Sequence, residues 1–258
     1  MRPILVMPMH DPAGVHFAHL LKIMPQLGHL FAQAYVGVTA VTAQAQPQWI
    51  DWLRGQAFFR ILQHPAGLAV GHQFRELYTA AATTYAPERL LHLCFIDRVA
   101  FALEGEYARP FVGDIGAVQP EDTPLIFQRS ARAWATHPGN YRALEGMITT
   151  VGELLFGRAL DFAWCHFVVQ AGQLREIMPQ TDHRDLSLLA EMVVRAGNAV
   201  HTKDVDWLAW EDPFIEGRDA DELRQERESS RQELRKRLAY VLPSLQLLRV
   251  IAEDGMSG

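Results

Sequence analysis

The chain has little cysteine. Cys94 and Cys165 are its only two in 258 residues, they stand far apart, and no CxxC pair or metal-spaced cluster surrounds them. That argues against a disulfide framework or a structural zinc site and fits a reducing compartment. Long apolar runs are missing as well. No stretch approaches the roughly 20 apolar residues of a membrane helix, and the first apolar run stops at His10-Asp11-Pro12, too short for a signal-peptide core. A cytoplasmic protein with no membrane span is expected. Positive charge is not in excess: a net charge of −6 gives no electrostatic reason to expect nucleic acid or an anionic membrane as partner. No GxGxxG turn and no Walker P-loop occurs at a strand-to-helix junction, which counts against a dinucleotide fold or a P-loop nucleotidase.

What is present is an ordinary globular composition, 49% apolar and 21% charged, in a chain long enough to bury a core without staples. Ile4 to Met9 is a continuous apolar segment of the kind a strand buried on both faces needs. A helical pattern follows over Pro12 to Leu30, in which Pro25 predicts a break or kink. Ala34 to Val41 reads as a strand, Pro47 to Gly55 as a helix, Phe58 to Leu62 as a strand and Gly71 to Tyr85 as a helix. Leu90 to Ile96 reads as a buried strand that stops at Asp97. Repeated strand–helix–strand implies parallel crossovers, so the expected class is α/β with a mostly parallel, Rossmann-like central sheet flanked by helices.

Farther along, Leu125 to Gln128 reads as a strand and Tyr141 to Phe156 as a helix. Asp161 to Val169 is β-like, Asp185 to Ala196 helical and Ala199 to Trp210 a strand-like exit. From Asp219 the chain turns highly charged while keeping a leucine stripe, with Pro243 expected to break or kink it. A helix packed on this chain or on a second copy is expected there. With no repeat and no low-complexity linker, the simplest partition is an α/β domain over 1–218 and a helical segment over 219–258. A homo-oligomer stays open.

In open α/β sheets ligands bind beyond the carboxyl ends of the strands. The residues to examine there are Pro8, Met9, His10 and Asp11 after the first strand and Asp97-Arg98 after the Leu90 strand. A carboxylate at such an edge can hold a divalent ion against a diphosphate. Its structural alternative is a strand-terminal Asp capping the next turn. His10, Asp11, His16 and His19 can be drawn as a metal cluster of a hydrolase, because His16 and His19 share a helix face. Trp164, Trp207 and Trp210 either line a sugar-stacking surface or belong to the core.

The order of elements resembles the GT-A fold of nucleotide-sugar-dependent glycosyltransferases, including small bacterial glycosyltransferase-like proteins. The resembling parts are Ile4 to Asp11, Val70-Gly-His-Gln-Phe-Arg75 opening a helix, and Leu90 to Asp97. Phe127-Gln-Arg-Ser130, the Asp185 helix ending Arg195-Ala-Gly197, and Val205-Asp-Trp-Leu-Ala-Trp-Glu211 complete the set. The resemblance implies transfer of a sugar, of the hexosyltransferase type, from a nucleotide-sugar donor to an acceptor hydroxyl. It implies that Pro8, His10 and Asp11 border the nucleobase and ribose and that Arg75 lies near the diphosphate. Asp97 would fill the last position of the family's Asp-x-Asp motif and hold a divalent metal, Mn or Mg, with His201 as a second ligand. Phe95 stands where the motif's first acid is expected, so a catalytically silent nucleotide- or partner-binding protein is the alternative. An inverting transferase also needs a base for the acceptor hydroxyl, and Asp185 is the residue chosen for it from the stretch containing Asp182 and His183.

Overall fold

The computed structural model describes residues 1–255. The chain runs β1 (Ile4–Met9), α1 (Val15–Leu30), β2 (Gln33–Val38), α2 (Ala40–Ala45), α3 (Pro47–Gly55), β3 (Phe59–Gln63), α4 (Val70–Thr84) and β4 (Leu90–Cys94). It continues through α5 (Ile96–Glu104), α6 (Ala108–Ala117), β5 (Leu125–Arg129), α7 (Ala131–Thr136), α8 (Gly139–Phe156), β6 (His166–Gln170) and α9 (Ala171–Ile177). It ends with α10 (Leu188–Ala196), β7 (His201–Val205), α11 (Asp212–Glu216), α12 (Ala220–Ser229) and α13 (Arg231–Gly255). The seven strands form one sheet in the order β3-β2-β1-β4-β6-β5-β7. β1 pairs in parallel with β2 and β4, β2 with β3, and β5 with β7; β6 alone runs antiparallel, to β4 and to β5. The class is α/β with a mostly parallel sheet.

Alternation along β1 explains why the run had to be apolar throughout. Leu5, Met7 and Met9 face a core shared with Phe17, Leu20 and Leu27 of α1, while Ile4 and Val6 face Phe74, Leu77 and Tyr78 of α4. Each face of the strand is covered by helix, as right-handed crossovers require. The chain moves outward from β1 to β2 and β3, then returns to place β4 on the other side of β1. The switch in direction therefore lies between β1 and β4, at their carboxyl ends.

Three expectations change. The β-like run Asp161 to Val169 becomes strand only from His166, because Phe162 and Trp164 are fully buried loop residues packed beside the sheet. Pro25 and Pro243 sit inside α1 and α13 without ending either helix. Packing outweighs the local penalty, since Ile23 and Leu27 flank the first proline, and Val241, Leu247 and Leu248 the second, all buried. Finally, Leu90 to Ile96 is not one strand. β4 stops at Cys94, Phe95 is an extended N-cap, and Ile96, Val99, Ala100 and Leu103 are buried at helical spacing. Asp97 is therefore the second residue of α5 rather than the end of a strand.

α12 and α13 fold back over α8. Tyr141 donates to Glu233 at 3.1 Å, Arg237 meets Glu145 at 2.7 Å, and Tyr240, Val241, Leu247 and Leu248 join the same apolar cluster as Ile4 and Val6. No helix among the described residues is long and apolar enough to cross a membrane.

Candidate functional site

At the direction switch the strand ends open into a cavity of about 220 Å³. Pro8 and Met9 at the end of β1 and His10 after it, Thr39 after β2, and Phe95, Ile96 and Asp97 after β4 line it, with Val70, Gln73 and Phe74 of α4 as the facing wall. A second chamber of about 670 Å³ shares His10, His16 and Asp97 with the first and extends it toward Asp212, Glu216 and Arg218. The three shared residues make the two chambers one groove. His10 Nδ1 lies 3.1 Å from Thr39 Oγ1, fixing its ring at the rim. His16 Nδ1 is buried with no hydrogen-bond partner, so it retains a free donor or acceptor where the chambers join. Asp97 Oδ1 accepts from the Arg98 backbone N–H at 2.8 Å, an interaction that leaves Oδ2 available to a ligand.

The groove is acidic in balance. Asp97, Asp212 and Glu216 line it, and its one arginine, Arg218, is bound to Glu226 at 2.7 Å and to Glu216 at 3.7 Å. Below the floor the Arg98 guanidinium contacts the buried Glu211 carboxyl. Burial pushes the Glu211 carboxyl up to about 8, against the pull of Arg98. This pair ties the start of α5 to the segment that delivers Asp212. Asp97, Asp212 and the two histidines are of the types that ligate cations, but among the described residues no three of them bring donor atoms within 4.8 Å of one another.

The structure separates several residues that the sequence had suggested together. Asp11 is 3% exposed, and its two carboxylate oxygens accept from the backbone N–H groups of Val15 and Phe17 at 2.9 Å each. It builds the start of α1 while lining the wider chamber beside His10. Arg75 does not share the Asp97 groove. It lines a separate cavity of about 750 Å³ beside β3 and pairs with Asp182 at 3.5 Å. Helix geometry is the reason: Gln73 and Phe74 face the groove, and each further residue turns about 100° around the axis. His201 begins β7, whose first residue pairs with Leu125 at the start of β5. Since β7 runs parallel to β4 in the sheet, its first residue lies at the edge opposite the one where β4 ends. His201 cannot ligate a metal beside Asp97.

Asp185 also has local work. Its Oδ1 accepts from the backbone N–H of Ser187 at 2.8 Å and from Ser187 Oγ at 2.5 Å. That loop packs on Gly71, which donates to the Arg184 carbonyl at 2.9 Å and where a Cβ would stand 2.3 Å from the His183 carbonyl oxygen. The histidine cluster dissolves too, because His19 is engaged by Glu104 at 2.6 Å. Trp164, Trp207 and Trp210 are all core residues. Trp164 and Trp207 send their indole N–H groups to Leu189 O at 2.9 Å and Asp114 Oδ2 at 2.7 Å.

Sequence reasoning missed Thr39, Gln73 and Asp212 as groove residues. Asp212 carried a signal, for an acid before a proline at a helix start follows directly on the quoted Val205 to Glu211 segment. Thr39 and Gln73 carried none. Compared with known proteins, the chain matches no family model, and no curated protein is significantly similar to it.

Proposed function

We propose that the groove at the carboxyl ends of β1 and β4 binds a nucleoside diphosphate-sugar together with a divalent cation, Mn or Mg, and that the protein is a GT-A-like glycosyltransferase. The observation that carries this reading is that His10, after β1, and Asp97, after β4, line one cavity at the switch point of the sheet. Pro8, His10 and Thr39 form the wall suited to a base and ribose. Asp97, at the first turn of α5, holds the cation against the diphosphate, which offsets the acidity of the groove. The wider chamber admits the acceptor, and Asp212 there is the acid placed to take the hydroxyl proton as the sugar is transferred. The sheet order, with one antiparallel strand beyond β4, is compatible with this reading.

A second reading has its own support. Phe95 lines the cavity where the motif's first acid is expected, and its ring packs 5.9 Å from Phe74. A wall that is apolar at this point favours a protein that binds a nucleotide without turning it over.

Calorimetric titration with nucleoside diphosphates and their sugar conjugates, with and without Mn²⁺ or Mg²⁺, tests both. Metal-dependent binding is expected, and Asp97→Asn should weaken it at least about tenfold, or about 1.4 kcal/mol. The substitution should barely move the melting temperature, since an acid in a helix first turn contributes only about 0.3–1 kcal/mol. Binding without slow donor hydrolysis or transfer selects the silent reading. No binding with either metal, or an Asp97→Asn protein that binds as well as the parent, rejects the assignment of the groove.

A further inference from the structure

Away from the groove, at the seam where β4 meets antiparallel β6, three metal-ligating side chains meet inside the core. His92 and Cys94 lie two residues apart on β4 and so share one face of it, and Cys94 is directly opposite His166 on β6. All three residues are 0% exposed, and one donor atom from each falls within 4.8 Å of the other two. His92 Nε2 and His166 Nδ1 are 2.8 Å apart. The remaining ring nitrogens, His92 Nδ1 and His166 Nε2, have no partner at all. The surroundings are aromatic: Phe31 stands 5.6 Å from the His92 ring, and Trp207 4.8 Å from that of His166.

Two imidazoles and a thiol in such a place are expensive as bare polar groups. Each unpaired buried nitrogen costs about 1–3 kcal/mol, whether or not an ion sits between the two nitrogens that face each other. A neutral ring keeps a lone pair for a metal.

We infer that His92, Cys94 and His166 together hold one copper(I) ion within the core of this protein. The choice of ion follows from charge and donor type. On binding, the ion takes the place of the Cys94 thiol proton, which leaves to solvent before β4 and β6 close; the resulting thiolate with a monovalent cation is neutral overall, whereas with zinc(II) it leaves a net positive charge in an apolar interior. The idealised cost of burying one such charge is of order 20 kcal/mol. Among the described residues no further His, Cys, Asp or Glu joins the trio, so there is no second anion and no fourth side-chain ligand of these types for a tetrahedral zinc site. The sulfur and imidazole donors suit a soft ion and exclude Mg and Mn. The site is therefore independent of the cation in the groove. Two nitrogens each about 2.0 Å from an ion in a trigonal array lie about 3.5 Å apart, so loading opens the His92–His166 pair, 2.8 Å apart, by roughly 0.7 Å. With every ligand buried, the ion enters while β4 and β6 come together rather than through the finished fold. Once in place it pins the strand that leads, through Phe95 and Ile96, to Asp97.

The test uses the full chain, refolded from urea under anaerobic, reducing conditions with copper(I) chloride and then desalted against a copper(I) chelator. About one copper per chain should remain, with an X-ray absorption spectrum of copper(I) bound by two nitrogens and one sulfur. Cys94→Ser should hold copper at least about a hundredfold more weakly, while Cys165→Ser, which alters the thiol outside the trio, should hold it unchanged. Less than about one-tenth equivalent in the parent protein shows a histidine pair that serves packing only and overturns the inference. So does copper held equally by Cys94→Ser, copper lost from Cys165→Ser, or zinc taken up in preference in a parallel refolding with zinc chloride. If Cys94→Ser does not fold, the stoichiometry and spectrum of the parent still decide.

Discussion

Around β1, β2 and β3 the interior is built from Leu5, Met7, Val36, Val38 and the helix residues that cover them, and its buried polar groups serve local ends. Asp11 caps α1, and His64 meets the half-exposed Glu76 at 3.0 Å. Around β5 and β6 the same depth of the molecule holds charge. Arg129, at the end of β5, grips both oxygens of Asp161 at 2.9 and 3.0 Å and Glu145 at 2.7 Å, while Arg237 of α13 closes the chain on Glu145 at 2.7 Å. Arg129 also stacks 3.7 Å over the Trp134 ring. The contrast follows from how each half is wound. Parallel crossovers let each strand bring its own covering helix, so apolar pattern is enough. The antiparallel β6 is reached by a loop from α8, and the ion network fixes that loop at Asp161, α8 at Glu145 and α13 at Arg237 to one arginine.

Acid should separate the two halves most strongly. His92, His166 and His137 are buried and neutral, with His92 pulled down to about 3 and His137 to about 2, in both cases chiefly by burial. Unfolded, each takes a proton near pH 6.5. Folded, they do not, so their contribution is complete above pH 6.5 and is lost as pH falls toward their folded values. Two units below 6.5, each costs about 3 kcal/mol. Glu211 works in the opposite sense: raised to about 8, it favours the fold as pH falls from 8 to its unfolded value. It offsets about one histidine, leaving a net loss on the order of 5 kcal/mol at pH 4.5. Urea midpoints measured from pH 7.5 to 4.5 should fall accordingly. Hydrogen exchange at pH 4.5 should show β5 and β6 opening before β1 and β2, and the reverse order would break the comparison.

Removing the arginine tests the network itself. Arg129→Met leaves Asp161 in the core without its cation, holding only the Ala163 backbone N–H, and should cost about 3–5 kcal/mol. Leu5→Ala in the first half should cost a similar 2–5 kcal/mol through its cavity, yet the two differ in pH response. Against the cost of burial, Arg129 helps hold the Glu145 carboxyl below its ordinary value, a contribution lost as pH falls, so the Arg129→Met deficit relative to the parent should shrink as pH falls through the carboxylate range. The Leu5→Ala deficit should stay constant, and equal pH behaviour would show that Arg237 alone holds the Glu145 carboxyl down.

The same contrast governs what could be read from sequence. β1 and α3 are legible to the residue, and β3 and α4 to within one, because continuous apolar strands alternate there with amphipathic helices between clear breaks. The direction of β6 was not legible. His166 to Gln170 is buried on both faces, so its pattern is the same whichever way it runs, and only the long connection from α8 decides. α5 was hidden because its first buried residue, Ile96, extends the apolar run of β4 and moves Asp97 onto a helix. Of the groove, Pro8, His10 and Asp97 were legible from the rule that ligands gather at carboxyl edges. Arg75, Asp185 and His201 were misplaced because helix phase, a hydrogen bond to Ser187 and the polarity of β7 are three-dimensional facts with no local signature.

The smallest test stays within α8, the helix that carries Glu145 of the ion network. Gly152 and Gly146 both lie inside it, where alanine is intrinsically favoured over glycine by about 0.5–1 kcal/mol. At Gly152 a Cβ would fall 1.9 Å from the ring of Phe162, a buried residue of the loop that leads to β6. The ring cannot retreat without moving Asp161 beside it, which Arg129 holds by two hydrogen bonds. Overpacking should therefore exceed the helix gain, and Gly152→Ala should destabilise by about 1–3 kcal/mol. At Gly146 nothing stands within 4 Å of the same atom. Gly146→Ala should stabilise by about 0.5–1 kcal/mol, the propensity gain alone. Thermal melts of the two variants read the difference in sign directly. A stabilising Gly152→Ala would mean that the Phe162 loop yields easily, and the rigidity ascribed to the Arg129 network would then have to come from elsewhere in the second half.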